Sequence, residues 1–170
     1  MRSYMEASTS STRAIVPSPY RRILVPHDGS EMSDRALNHA LYVAKMANSE
    51  IVIFHVVESD SIPPSTLLAF IKPGAGLEEA REQVRTLFEG AVGKVLEERV
   101  QAAKALGINA VSYKVSGGKP ADAIVIESEA GEYDLIVMSS SRIASSIRAL
   151  GSTARRVLDS TKKPILLVHE

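Results

Sequence analysis

The segment Glu50–Val57 constrains the fold more than any other part of the chain, because all but two of its eight residues are apolar. Successive side chains of a strand point to opposite faces of a sheet, so a continuous apolar run places apolar groups on both faces. Strands of this kind are typical of parallel sheets that are covered by helices on both sides. The segment therefore predicts a buried strand in the interior of an α/β domain.

Other apolar runs alternate with helical patterns along the chain. Strands are predicted at Arg22–Pro26, Glu50–Val57, Ala110–Val115, Asp134–Ser139 and Pro164–His169. Helices are predicted between them, at Ser33–Ala47, at Leu77–Leu106, at a short segment beginning near Pro120 and at Thr153–Ser160. Alternation of strands and helices implies right-handed crossovers and parallel pairing. We predict a doubly wound, five-stranded parallel α/β sheet with helices on both faces and strand order 3-2-1-4-5.

The predicted helix Leu77–Leu106 carries a long apolar stripe that repeats close to every 3.6 residues. Its members are Leu77, Ala80, Val84, Leu87, Phe88, Ala91, Val95, Ala102 and Leu106. The stripe predicts the face of the helix that packs against the rest of the domain. Residues 58 to 76 precede it and contain three prolines and two glycines, which predicts a loop with room for one helical turn.

Composition limits the classes of function. The chain has 170 residues, with 20 basic and 20 acidic side chains and no cysteine. This balance gives no support for a nucleic-acid or membrane partner, and the absence of cysteine excludes a disulfide and fits the cytoplasm. No apolar run reaches the roughly 18 residues that a membrane span needs. We expect a flexible tail at residues 1–19, followed by one domain at residues 20–170.

A ligand crevice is predicted where the strand order reverses, between the first and fourth strands. Asp28 follows the first strand there, and a loop rich in serine and arginine follows the fourth. That loop leads into a helix at Gly151-Ser152-Thr153. Free N–H groups and the helix dipole favour an anion at such a position. Topology and loop chemistry thus nominate the same crevice as a phosphate site.

Each candidate residue also has a purely structural interpretation. Asp28 either contacts a ligand or forms an Asx-turn or cap for the next helix. Ser152 either meets an anion or serves as a plain N-cap. Arg155 and Arg156 are two cations near a helix start, and each opposes the dipole by a few tenths of a kcal/mol, roughly, unless an anion binds there. Alternatively, both arginines are solvated or pair with distant acids.

The histidines and the glycine-rich segment add little chemistry of their own. His27 is a polar-contact candidate near the crevice, and His55 is expected in the core or the crevice wall. With His39 and His169 they show no metal-ligand spacing. Gly117-Gly118-Lys119-Pro120 lacks the P-loop pattern. We predict no catalytic residues, and at most a slow ATPase.

An ordered set of motifs resembles the universal stress protein family over about residues 21 to 169. The matching segments are Ile23–Ser33, Ile51–Val56, Gly118–Pro120, Asp134–Met138, Gly151-Ser152 and Lys163–Val168. The resemblance implies a stress-response regulator that binds ATP or another adenine nucleotide, with Mg²⁺ as a possible companion. It also implies a homodimer through the edge strand Pro164–His169 and an output to an unidentified protein partner.

The resemblance also implies a site. In the family's nucleotide-binding branch the loop after the fourth strand reads Gly-x2-Gly-x9-Gly-Ser/Thr. Here Gly151-Ser152 matches its end, the first glycine falls on Ser139, and the second falls on Ser141 or Arg142. The resemblance implies that Asp28 binds the ribose and that the Val56 backbone reads the adenine edge, with Pro26 and Met138 as walls. It also implies that Ser152 and Thr153 meet the phosphates. The full candidate set is Pro26, His27, Asp28, Val56, Met138, Ser139, Ser141, Arg142, Gly151, Ser152, Thr153 and Arg155.

Two other functions remain as alternatives. Loss of two loop glycines, which allow close approach of backbone to phosphate, favours a ligand-free dimeric scaffold that acts through protein contacts. A phospho-receiver also has a five-stranded parallel sheet with an acidic site. Against it, Lys163-Pro164 precedes the last predicted strand, and Val115-Ser116 supplies no acid at the end of the third.

Overall fold

The computed structural model describes residues 20–58, 62–74, 76–140 and 150–169. These residues form a five-stranded, all-parallel sheet in the order β3-β2-β1-β4-β5. The strands are β1 Arg22–Pro26, β2 Glu50–Val57, β3 Val111–Gly117, β4 Leu135–Ser139 and β5 Ile165–Val168. The predicted fold class and strand order are confirmed.

Five α-helices lie in the described residues. They are α1 Glu31–Ala47, α2 Pro64–Leu67, α3 Leu77–Ala105, α4 Pro120–Ala130 and α5 Ser152–Ser160, with a 3₁₀ turn at Leu68–Phe70 after α2. Helix α1 begins earlier than predicted because the Ser30 hydroxyl accepts a hydrogen bond from the Ser33 N–H at 3.2 Å and caps the helix. None of the helices in this part of the chain is long and apolar enough to cross a membrane.

The sheet separates two hydrophobic cores, and alternate residues of one strand enter different cores. Ile51 and Ile53 of β2 pack in the core that contains the buried residues of α1 and the second half of α3. Val52 and Phe54 pack in the core that contains residues of α4 and α5. The two-sided burial expected of Glu50–Val57 is therefore observed, and it requires helices on both faces.

The predicted apolar stripe of α3 is correct at Ala80 and Val84, but Leu77 before them and the stripe residues after them are exposed. Ala80 and Val84 are buried against Leu67 of α2. Farther along, the predicted stripe residues are largely exposed, at Leu87 61%, Phe88 50%, Val95 40% and Leu106 61%. The helix instead buries Leu96, Val100 and Ala103. The face changes because the first turns pack on the α2 segment and the later turns pack on the sheet, so no single stripe serves both partners.

A buried tyrosine packs at the amino-terminal ends of the central strands. Tyr133 is 1% exposed, and its hydroxyl donates a hydrogen bond to Glu127 Oε1 at 2.8 Å. The Arg22 guanidinium lies 4.8 Å from the centre of the ring and donates to the Gly131 carbonyl. Burial, together with the Glu127 carboxylate, raises the pKa of Tyr133, so the phenol stays protonated and keeps donating.

We expect Gly131→Ala to destabilise the protein, because the added Cβ would lie 2.1 Å from Cε2 of Tyr133. Forced displacement of a packed ring lowers the free energy of unfolding by ~1–3 kcal/mol. The control is Gly90→Ala within α3, where nothing lies within 4 Å of the new Cβ, and it should stabilise by ~0.5–1 kcal/mol. Urea unfolding measures both. Equal stability of Gly131→Ala and wild type would contradict this packing.

Candidate functional site

A cavity of about 220 Å³ lies at the carboxyl ends of the central strands. It sits where β1 and β4 are neighbours and their crossovers leave to opposite faces of the sheet. This is the switch point at which open parallel sheets bind ligands. The residues around it are Pro26, His27, Asp28, Phe54, Val56, Pro120, Ile124, Met138, Ser139, Thr153 and Ala154.

Most of the predicted site residues meet at this cavity. Pro26, His27, Asp28, Val56, Met138, Ser139 and Thr153 line it. Gly151 and Ser152 begin α5 beside Thr153 without lining the cavity, and Arg155 is exposed on that helix. Ser141 and Arg142 lie outside the described residues.

Sequence reasoning missed part of the apolar wall. Phe54 lies two residues before Val56 on β2, so the two side chains share a face of the sheet. Because side chains of a strand alternate between the two faces of the sheet, the prediction of Val56 at the site could have been extended to Phe54. Pro120 and Ile124 come from α4, which covers that face. Their contribution depends on how α4 lies over the sheet, and the local sequence does not specify that.

The Asp28 carboxylate stands at the mouth of the cavity. Its Oδ1 accepts the Ser30 N–H at 3.0 Å, which is the Asx-turn foreseen as the structural role, while Ser30 is the cap of α1. Partial burial of Asp28 works against ionisation, but hydrogen bonds from Ser30 and Ser33 and from its own backbone together outweigh it and lower its pKa. The side chain is exposed, so the turn leaves an anionic group accessible beside the cavity.

The His27 side chain is fully buried behind the crevice loop, and both of its ring nitrogens are engaged. Nδ1 accepts the Gly29 N–H at 3.1 Å, and Nε2 lies 2.9 Å from Asp34 Oδ1. Because Nδ1 is an acceptor, the ring proton resides on Nε2 and is donated to Asp34. Both ring nitrogens therefore have partners within the protein, while His27 is among the residues that line the cavity. A polar contact between His27 and a ligand stays a prediction.

Burial lowers the pKa of His27, although the hydrogen bond to Asp34 acts in the opposite direction. Asp34 is itself held by Arg99 of α3, whose Nε lies 3.0 Å from Oδ1 and whose Nη2 lies 3.2 Å from Oδ2. His55 Nδ1 donates to the His27 carbonyl at 2.7 Å. His55 thus supports the crevice loop, but it is half-buried and is not among the residues that line the cavity.

The start of α5 differs from the predicted cap. Gly151 is the N-cap residue and Ser152 is the first helical residue, and among the described residues no side chain caps the helix. Ser152 is therefore not the N-cap, because the preceding glycine already has the extended cap conformation. The first N–H groups of a helix have no partner within it, and here they lie next to Thr153 at the cavity. Arg156 pairs with Asp122 Oδ1 of α4 at 2.7 Å. For Arg156, this is the alternative in which the arginine pairs with an acid distant in the sequence.

These features define a class of protein: a doubly wound α/β domain with a mixed apolar and polar crevice at its switch point. The sequence profile of the Universal stress protein family matches residues 19–169. The chain belongs to the universal stress protein family. It is 30% identical over 152 residues to universal stress protein YxiE of Bacillus subtilis, covering 88% of this chain and 99% of the relative. It is also 30% identical over 154 residues to universal stress protein MJ0531 of Methanocaldococcus jannaschii, covering 89% and 83%.

Solved structures share the fold. Universal stress protein UspA from Lactobacillus plantarum superposes with a TM-score of 0.71 at 21% identity, covering 88% of this chain and 98% of that one. A universal stress protein in complex with cAMP gives 0.64 at 24% identity, covering 89% and 98%. The Archaeoglobus fulgidus universal stress protein in complex with dAMP gives 0.57 at 19% identity, covering 89% and 100%.

Burial of neutral His27 predicts a pH-dependent stability. An unfolded histidine protonates near pH 6.5, whereas folded His27 protonates only at lower pH. Between those two values the unfolded state binds more protons, so the free energy of unfolding should fall as pH drops below about 6.5. His27→Asn should remove this component of the slope, and His39→Asn, at an exposed site on α1, should keep it. Urea unfolding at pH values from 7.5 to 5.5 gives the free energy of unfolding at each pH. The same dependence on pH in all three proteins would refute the prediction.

Proposed function

We propose that this protein binds an adenine nucleotide in the crevice between β1 and β4 and acts as a stress-response regulator. The observation that carries the proposal is the lining of the cavity. Apolar surface comes from Pro26, Val56 and Met138. At other points of the rim, Asp28 supplies an anion and the start of α5 supplies unpaired N–H groups. A nucleotide has the same division between a flat base, a sugar with hydroxyl groups and a phosphate chain.

The base would lie against Val56 and Met138, where the exposed edge of adenine can meet the Val56 backbone. Asp28 would accept hydrogen bonds from the ribose hydroxyls, because its carboxylate is ionised and exposed. The phosphates would approach Ser152 and Thr153, where free N–H groups and the helix dipole favour negative charge. Mg²⁺ would enter with the phosphates, since it usually retains several waters and binds nucleotide oxygens.

Two comparisons support an adenine nucleotide in particular. Proteins of the same fold are described as complexes with cAMP and with dAMP. The glycine losses in the loop weigh against tight phosphate binding, but hydroxyl groups such as that of Ser139 can donate hydrogen bonds in place of backbone amides. The output would be a change of conformation or of protein partner in the cytoplasm.

A series of ligands separates the parts of the site. In calorimetric titrations with adenosine, AMP and ATP, we expect Asp28→Ala to weaken all three by ~10-fold, as loss of charge-assisted hydrogen bonds does. Thr153→Glu should weaken AMP and ATP by at least about tenfold and adenosine much less, because the added carboxylate repels phosphate. Thr86→Glu, on the exposed side of α3, is the matched control. Absence of heat with wild type at millimolar ATP would contradict the proposal.

A dimer through β5 belongs to the same proposal and to its alternative, the ligand-free scaffold. In the described residues β5 pairs with β4 on one side and forms an edge of the sheet, with Leu166 37% exposed. An unpaired apolar edge favours association with a second strand.

We expect a dimeric mass by light scattering at micromolar concentration, and a monomeric mass for Leu166→Lys, because a buried lysine opposes edge pairing. Met46→Lys, on the exposed face of α1, should remain dimeric. A monomeric wild type would contradict the dimer. A dimer without nucleotide binding would favour the scaffold.

A further inference from the structure

A chain of hydrogen bonds runs from helix α3 through α1 to the crevice loop. Arg99 donates to Asp34 through two nitrogens, Asp34 accepts a hydrogen bond from His27 Nε2–H, and His27 Nδ1 accepts one from the Gly29 N–H. Gly29 directly follows Asp28, the proposed ribose ligand. The network therefore ends on the backbone next to the anionic group of the site, although its side chains lie behind the cavity wall.

We propose that His27 is a positioning residue for the nucleotide site: its neutral ring, oriented by Asp34 and Arg99, accepts the Gly29 N–H and thereby fixes the Asp28 carboxylate at the crevice. The proposal rests on the proposed nucleotide function and adds its regulation. Protonation of His27 would release the loop and weaken binding, so nucleotide affinity would decline in acid.

The conformation of the loop explains why the hydrogen bond between His27 and Gly29 can affect the position of Asp28. Gly29 has φ +86°, a conformation that side-chain-bearing residues rarely adopt. Three N–H groups of the turn have acceptors within it: Gly29 donates to His27 Nδ1, Ser30 donates to Asp28 Oδ1, and Ser33 donates to the Ser30 hydroxyl. Removing the first acceptor releases the peptide that follows Asp28, while β1 still holds the chain before it and α1 still holds the chain after Ser30.

The protonation state of the ring decides whether this acceptor exists. An imidazolium has N–H donors at both nitrogens, so a protonated His27 would point a donor at the Gly29 N–H. The contact with Asp34 would survive, because Nε2 donates in either state. The loop would therefore move at Gly29 and leave α1 in place.

Charged groups from each neighbouring element set the balance of that titration. Asp34 of α1 and Asp28 of the loop favour the imidazolium, whereas Arg99 of α3 and the burial of the ring oppose it. Removing Arg99 should consequently move the transition to higher pH. Arg35 pairs with Glu31 on the exposed side of α1, so Arg35→Gln is a matched control for Arg99→Gln.

Two substitutions at His27 separate its two hydrogen bonds. Asparagine places an oxygen near the position of Nδ1 and can accept the Gly29 N–H, but it does not reach Asp34. Glutamine places its amide near the position of Nε2 and can reach Asp34, but it leaves Gly29 without an acceptor. If His27 only fills space or anchors Asp34, the glutamine variant should be the better substitute.

The experiment measures the dissociation constant of ATP at pH 7.5, 6.5 and 5.5 for wild type, His27→Asn and His27→Gln. We expect His27→Asn to stay within about threefold of wild type at pH 7.5 and His27→Gln to lose ~10-fold, as for an unsatisfied N–H. Titration of the ATP phosphates affects all the proteins equally. The ratio of the wild-type dissociation constant to that of His27→Asn therefore reports the titration of His27 alone. The wild-type dissociation constant should rise relative to that of His27→Asn as pH falls toward 5.5. In Arg99→Gln the corresponding rise should occur at higher pH.

Equal losses in the two variants, or a ratio that does not change with pH, would overturn the positioning role. The Gly29 amide provides a readout without ligand: its hydrogen exchange should be slow in wild type and His27→Asn, and fast in His27→Gln. Wild type that binds no ATP at pH 7.5 contradicts the proposed function instead. In that case, a Gly29 amide equally protected in all three proteins would also overturn the role of His27.

Discussion

Burial of the central strands on both faces is the constraint on which the rest of the structure depends. Side chains of β1 and β2 enter the two cores alternately, so neither face of the sheet can be left to solvent. Helical crossovers must then cover both faces, and the strand order must reverse somewhere within the sheet. The reversal lies between β1 and β4, and it opens the crevice at their carboxyl ends.

The crevice combines two kinds of support. Its apolar wall is the continuation of the core beneath it, since Phe54 and Met138 belong to the cluster under α4 and α5. Its polar rim is held by local turns, by the start of α5 and by the buried ring of His27. Loss of one hydrogen bond of this rim need not disturb the apolar wall, and our proposal assigns that loss to protonation of His27.

The sequence predicts the sheet and the position of the cavity well, because apolar runs, turn residues and strand order are local or topological properties. It predicts the working face of α3 poorly beyond Val84, where two different partners share one helix. It does not reveal the partners of the His27 ring, since Asp34 and Arg99 are separated by 65 residues in the chain. The N-cap at Gly151 rather than Ser152 depends on a backbone conformation that residue type alone does not determine.

The most direct test of the account is a crystal structure of the protein grown with saturating AMP. The account predicts nucleotide density between β1 and β4, with the base against Val56 and Met138, the ribose at Asp28 and the phosphate at the start of α5. An ordered crevice that remains empty at saturating AMP, or density at another surface, would contradict the central claim.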